Sequence, residues 1–466
     1  MTRSTRAAVT PARRAAFEVL RRVFEHDAWA DRAFPAAAER HQLQGRDRGQ
    51  AQRLAFGSVK RRGTTDHFAG ALSGRKLKSL DPPVVAALRL GLFEILFSET
   101  ADHAVVDSAV ELAKGGMRRG GPRRAAGAGG LVNAVLRRAA AERSELLASV
   151  SDETAAGAAI AHSVPEWLAE MWLDELGAES ARSLLGALNE PSETAMRVNT
   201  LRADPAELYT ELEQAGEPIE AAGESGTLYP PEALVWTGPL GEAALSALAD
   251  GRMFAQSRAA QAVVEMLDPR PDESVLDLCA GPGVKTCAIA ARMSGEGALT
   301  AIEKDPGRAR QVEELVARAG AGNTQVVVAD ASDAATLGES LRSIDNGGGE
   351  RRESQGYDRV LVDPPCSDLG TLASRPDARW RKDPETIERL AELQSRLLGA
   401  GIAALRPGGT LVYSTCTISA RENAVVVDTA LAGHPGLEET GRLETRPDRD
   451  GTDGFFIASL RKGERG

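Results

Sequence analysis

Two cysteines stand where strands give way to loops. In "LVDPPCSDLGT" Cys366 follows Asp363 and the pair Pro364-Pro365, and in "LVYSTCTIS" Cys416 closes an apolar run among hydroxyls. A lone free cysteine is by default a small core hydrophobe. Two of them at successive strand ends invite a chemical reading. The prolines cannot continue a ladder and stiffen the exit from the strand, which holds Asp363 and Cys366 in fixed directions. A thiolate is a nucleophile, and a thiol that titrates near ~8.5 needs local activation to become one. Carbon 5 of cytosine is too poor a nucleophile to take a methyl group unaided. A sulfur that adds to carbon 6 makes the ring an enamine that can. A second thiol can then assist release, and Asp363, protonated or sharing a proton, can hold the ring nitrogen and amino edge. Methylation of an amine would call for an aromatic residue after Pro-Pro to stack the base, and Cys366 occupies that place.

A second constellation points to a nucleoside cofactor. "VLDLCAGPGVKT" brings Asp277 to a strand end, turns on Gly281 and Gly283, and enters a helix near Val284. Glycines there let a ligand approach the backbone. Glu303 ends the next strand, where a carboxylate accepts ribose hydroxyls, and Asp330 ends the one after, where it can accept from an adenine amino group. The turn is neither G-x-G-x-x-G nor a full Walker A. With no clear diphosphate cradle, S-adenosylmethionine fits better than a dinucleotide.

These residues need a sheet to position them. From about residue 252, "SVLDLCA", "ALTAIEKD", "TQVVVAD", "DRVLVDPP", "GTLVYSTC" and "GFFIASL" read as strands, the first five separated by helical segments. That alternation predicts a doubly wound, mostly parallel sheet with an antiparallel last strand at its edge. Every motif above falls at the carboxyl ends of its strands, where such sheets bind ligands. "SIDNGGGERRESQG" reads as a flexible insertion. Residues 1–150 read as helices throughout, with Asp81 the N-cap of "PPVVAALRLGLFEILF" and "GGMRRGGPRRAAGAGG" a flexible arginine-bearing loop able to lie along a phosphate backbone. Residues 151–250 read as a small α/β connector, in which Arg197 and Asn199 flank Val198 on an exposed strand edge. Residues 251–466 form the catalytic domain.

Charge is divided along the same lines. Residues 1–150 hold 26 basic and 15 acidic side chains, and the remainder 30 against 52, so an overall charge of −11 conceals a basic module suited to nucleic acid. The four cysteines (Cys279, Cys287, Cys366, Cys416) lack CxxC spacing, which argues against a metal site and for a reducing, cytoplasmic setting. No signal-like run opens the chain, and no stretch approaches the ~20 apolar residues of a membrane span.

The set "LDLCAGPGVKT", "DPPCS" and "STCT" followed by "RENA" resembles the RNA cytosine-5 methyltransferases of the RsmB/NOP group. "RLAFGSVKRRG", "LRLGLFEILF", "DHAVVDSAVELAK" and "GLVNAVLRR" resemble the NusB-like RNA-binding domain that precedes the methyltransferase in RsmB proteins, and "RVNTLRA" and "TDGFFIASLRK" are also similar to family segments. The resemblance implies three parts: an all-α NusB-like domain, a small α/β connector and a Rossmann-like methyltransferase domain. It implies Cys416 as nucleophile and Cys366 in product release. Cofactor contacts would map to Cys279, Ala280, Gly281, Pro282, Gly283, Val284, Lys285, Glu303, Asp330 and Asp363, beside Asp277. The implied substrate is a cytosine of 16S ribosomal RNA in the small subunit, acted on by a monomer without metal or membrane. The same chemistry on tRNA, or a non-catalytic antitermination factor built on the N-terminal domain, are the alternatives. Four positions depart from the family pattern: Gly281 and Val284 stand for the usual Ala and Gly, Glu303 for Asp, and Ser257 for an acid.

Overall fold

The computed structural model describes residues 9–117, 121–221, 230–345 and 356–464, which divide into two compact units. The first comprises Met1–Pro191 together with a distant piece, Arg375–Arg381. Its long helices include Pro11–His26, Pro82–Phe97, Asp102–Gly116 and Gly121–Ala141. Leu20, Leu88, Ile95, Val132 and Leu136 meet in one core. The nearly buried Arg13 donates to both oxygens of Glu94, at 2.7–3.1 Å. That fork-to-fork pairing satisfies two charges that burial would otherwise leave costly.

In this unit one expectation holds in position only and another fails. Asp81 occupies the N-cap position of Pro82–Phe97 but makes no capping bond; its carboxylate pairs with Arg124 instead. Most of the glycine-rich stretch, among the described residues, is helix and not loop. Gly115 and Gly116 end one helix and Gly121–Gly130 open the next, with residues 118–120 outside those described. Each helical glycine weakens a helix by about 1 kcal/mol, but packing wins. A Cβ on Gly129 would lie 2.5 Å from Lys114 Cε, and one on Gly116 2.4 Å from Pro83 Cβ, so small residues let the helices approach.

The piece Arg375–Arg381 is bonded into this unit along its length. The Arg379 side chain, fully buried, donates to the carbonyls of Ser163 and Leu188, each at 3.1 Å, and to Asn189 Oδ1 at 3.2 Å. Asp377 accepts the Ala30 N–H at 3.1 Å and the Trp380 indole donates to the Val59 carbonyl at 3.2 Å.

The second unit carries two sheets. Strands β1 (Thr194–Val198), β2 (Ile219–Ala221), β3 (Ala233–Trp236) and β4 (Met253–Ala255) form an antiparallel sheet in the order β2-β3-β1-β4. Arg197 and Asn199 are buried here, not exposed. Asn199 Nδ2 donates to the carbonyls of Gly251 and Ala319 at 2.8 and 2.9 Å, and Arg197 Nε donates to Gln256 Oε1 at 2.8 Å.

The larger sheet comprises β5 (Ser274–Asp277), β6 (Ala298–Glu303), β7 (Thr324–Val328), β8 (Tyr357–Val362), β9 (Leu405–Thr415), β10 (Leu437–Thr445) and β11 (Phe455–Lys462), ordered β10-β11-β9-β8-β5-β6-β7. Strands β5 to β9 run parallel, while β11 lies antiparallel between β9 and β10. The last strand is therefore not the edge, as expected; β10, read as a polar stretch, is. Its alternating burial fits one solvated face. Strand residues alternate between two apolar layers. Val275, Leu361, Val412 and Ile457 pack with Val263 and Ile289 on one face. Leu276, Val360, Val362, Leu411 and Tyr413 pack with Leu398 and Ile402 on the other. Most of the expected insertion, residues 346–355, lies outside those described. Among the described residues no helix is long and apolar enough to cross a membrane.

Candidate active site

Strand β5 delivers its chain into a tight turn at the carboxyl edge of the sheet. Ala280 N–H reaches across to the Ile302 carbonyl at 2.8 Å, and Gly283 N–H closes on the Ala280 carbonyl at 2.7 Å. Gly283, at φ 106°, starts the helix Val284–Arg292 in a conformation that disfavours any side chain. Gly281 has a different reason to be glycine. A Cβ there would lie 2.2 Å from Glu303 Oε2 and 2.7 Å from Arg308 Nη2. Glu303 is 6% exposed, its Oε1 accepts the Asp305 N–H at 2.9 Å, and Arg308 Nη2 donates to the Gly281 carbonyl at 2.8 Å. Two departures from the family pattern are thus one. The longer acid at 303 reaches into the space that an alanine methyl at 281 would fill.

The other acids divide by surroundings. Asp277 is buried, takes the Thr286 hydroxyl at 2.7 Å on Oδ2, and leaves Oδ1 without a partner among the described residues. Burial pushes its carboxyl up to about 6. It braces the turn from beneath. Asp330 is partly exposed; bonds from Lys304 Nζ at 2.6 Å and the Ser332 hydroxyl at 2.7 Å draw it down to about 2. Ser257 caps the helix Arg258–Leu267, accepting the Ala260 N–H at 3.4 Å.

The two thiols meet at the neighbouring ends of β8 and β9. Val362 pairs in register with Tyr413, and beyond them Cys366 Sγ lies 3.3 Å from Cys416 Sγ. Asp363 accepts from Lys285 Nζ at 2.7 Å on one oxygen and from the Ser414 hydroxyl at 2.8 Å on the other. Its attraction raises the Lys285 ammonium against the opposing effect of burial, the larger of the two influences in size. The 2.7 Å ion pair with Asp363 keeps the lysine charged.

Three further groups, missed in the sequence, hold or face the thiols. Asp368, in a left-handed backbone conformation at φ 59°, places Oδ1 3.2 Å from Cys416 Sγ and 3.8 Å from Cys366 Sγ. Lys382 Nζ lies 3.5 Å from its other oxygen. Glu422, wholly buried, accepts the Ser367 N–H and Gln394 Nε2, each at 2.9 Å, and a short bond from the Ser367 hydroxyl. That hydroxyl also meets Thr417 Oγ1 at 2.6 Å. One carboxylate therefore braces the residue after each cysteine, and burial raises it. The Cys416 carbonyl accepts the Gly370 N–H at 3.0 Å. The Cys416 thiol is pushed well up by its bond with Cys366, by burial, and by the carboxylates of Asp368 and Asp363. Glu422 lies in the quoted "RENA", so its acid was visible in the sequence; Asp368 and Lys382 carried no signal beyond closeness to Cys366.

Comparison with known proteins matches each part of the chain. The NusB family model covers residues 10–141, the RsmF/B-like ferredoxin-like domain 164–228, and the 16S rRNA methyltransferase RsmB/F model 264–461. The chain is 31% identical to the "Probable ribosomal RNA small subunit methyltransferase B" of Bacillus subtilis, over 97% of this chain and 99% of that one. It is also 31% identical to the ribosomal RNA small subunit methyltransferase B of Vibrio cholerae, over 92% of each. Among solved structures, PH0851 superposes with a TM-score of 0.78 at 25% identity, covering 98% of this chain and 99% of that one.

Proposed function

The chain belongs to the 16S rRNA methyltransferase RsmB/F family, and from that premise we propose that it methylates carbon 5 of a cytosine in 16S ribosomal RNA through a bond between Cys416 and carbon 6. The observation that carries this reading is the thiol pair, 3.3 Å apart at the ends of adjacent parallel strands. Methylation of an amine or a ribose hydroxyl has no use for it. Cys416 Sγ bonds to carbon 6 and makes carbon 5 nucleophilic. Asp363, fixed by Lys285 and Ser414, faces the ring's polar edge. After methylation, loss of the carbon-5 proton to solvent and of the Cys416 sulfur restores the ring, with Cys366 assisting that release.

S-adenosylmethionine, when bound, supplies the electrophilic methyl group. The residues fit it: Glu303 is a buried carboxylate beside a turn where Gly281 leaves out the Cβ that would crowd it. Glu303 would take the ribose hydroxyls, Asp330 the adenine side, and the Cys279–Lys285 turn the remainder. The basic helical unit, matched by the NusB model, would hold the RNA by its phosphates, and the target base must leave its stack to reach the thiols.

The test is bisulfite sequencing of 16S ribosomal RNA from cells with the wild-type protein, with Cys416→Ala, and without either. A single cytosine should lose protection in the last two. Protection retained by Cys416→Ala would sink the nucleophile assignment.

A further inference from the structure

A nucleophilic thiol must lose its proton, most often to a histidine. The chain has six histidines and none between residues 163 and 433, the stretch that carries both thiols. His434, just beyond, has its Nδ1 on the Ala430 carbonyl at 2.8 Å. Of the acids beside the thiols, Asp363 has both oxygens engaged by Lys285 and Ser414. Asp368 Oδ1 faces Cys416 Sγ at 3.2 Å, with the thiol as donor.

We infer that Asp368 is the base that takes the Cys416 proton. The inference rests on the cysteine chemistry proposed above and names the group that starts it. Lys382 Nζ lies 3.5 Å from Oδ2, while Oδ1 lies toward the sulfurs. The left-handed backbone at Asp368 (φ 59°) is uncommon for a residue with a side chain. The following turn holds it there, for Thr371 N–H and hydroxyl both donate to the Asp368 carbonyl, at 3.1 and 3.0 Å.

The step balances within the site. As the C6–S bond forms, the proton passes from Cys416 Sγ to Asp368 Oδ1 and the C5=C6 electrons move to carbon 5. When the C6–S bond breaks, the departing sulfur takes the same proton back. The carbon-5 proton leaves separately to solvent. Asp368 therefore borrows one proton per turnover and needs no co-reactant. A carboxylate this close disfavours a free thiolate in the resting protein, and Asp368 is among the causes that raise the Cys416 thiol. Deprotonation is thus coupled to attack on the ring instead of preceding it.

That coupling gives a test with two readouts moving in opposite directions. In Asp368→Asn, alkylation of Cys416 by iodoacetamide at neutral pH, followed by peptide mass mapping, should become faster, because a neighbouring negative charge is gone. Methyl transfer to 16S RNA should fall by roughly 10²–10⁴-fold, the range of a lost general base, with S-adenosylhomocysteine binding unchanged. Asp368→Glu should recover part of the rate. Methyl transfer in Asp368→Asn within threefold of wild type, or alkylation slowing together with methylation, would overturn the inference. Cys416→Ala separates the two levels: if it is inactive while Asp368→Asn is fully active, only the base assignment fails; if it stays active, the nucleophile reading fails first.

Discussion

Replacing Gly281 by Ala should damage cofactor binding without damaging the fold. The added Cβ would lie 2.2 Å from Glu303 Oε2, so the carboxylate must withdraw by about 1 Å to reach ordinary contact. The displaced atoms are the free ends of Glu303 and Arg308 side chains, and Gly281 does not need a positive φ, so the folded state yields easily. Losing a glycine even restricts the unfolded chain, a gain of about 0.4–1 kcal/mol. The ligand bears the loss. A bond to a charged group contributes about 1.5–3 kcal/mol, so forfeiting one ribose contact weakens Kd by roughly 10–100-fold. Titration calorimetry with S-adenosylhomocysteine measures this, and a thermal melt checks the fold. Glu303→Asp in the same chain removes the obstruction, and the double variant should bind within about threefold of wild type. Their coupling should exceed ~1 kcal/mol in a double-mutant cycle. Wild-type affinity in Gly281→Ala, or losses that simply add, would refute the reasoning.

Other outcomes follow from the same geometry. Glu422→Ala strips a buried acceptor from Ser367 and Gln394 and should cost about 3 kcal/mol, seen as a melting midpoint lower by about 6–12 °C; a shift below ~2 °C would mean that it braces nothing. Cys366→Ala, with release impaired, should accumulate a protein–RNA adduct on a denaturing gel, and full turnover without adduct would remove that role. The Asp277 carboxyl is raised by burial from 3.8 to about 6. The folded state therefore binds this proton more tightly than the unfolded, and the contribution is fully present below pH 3.8 and lost as pH rises through about 6. Denaturant titrations should show Asp277→Asn gaining about 3 kcal/mol on wild type between pH 4 and 7; parallel pH curves would contradict it.

Much of the large sheet was legible because each parallel strand is a short apolar run ended by an acid or a cysteine. Its antiparallel margin was not, since "LEETGRLET" alternates with charges and looks like a loop until β11 covers it. The arginine- and glycine-rich stretch was misread because local propensity favours a loop, whereas helix packing at Gly116 and Gly129 decides. Arg197 and Asn199 looked like an exposed edge because their partners lie up to 120 residues away. At the site, the motifs pointed to both thiols, since adjacent strands carry them. Asp368, Lys382 and Glu422 acquire their positions only when three separate loops converge, and no spacing along the chain encodes that.

The seven residues Arg375–Arg381 also set a timetable for synthesis. They complete the helical unit, yet Arg381 is translated 190 positions after Pro191. At ~5–20 residues per second, the earlier helices wait roughly 10–40 s on the ribosome for them. Until then the Ser163 and Leu188 carbonyls lack their guanidinium partner, and a nascent chain paused in this interval is a natural client for a chaperone.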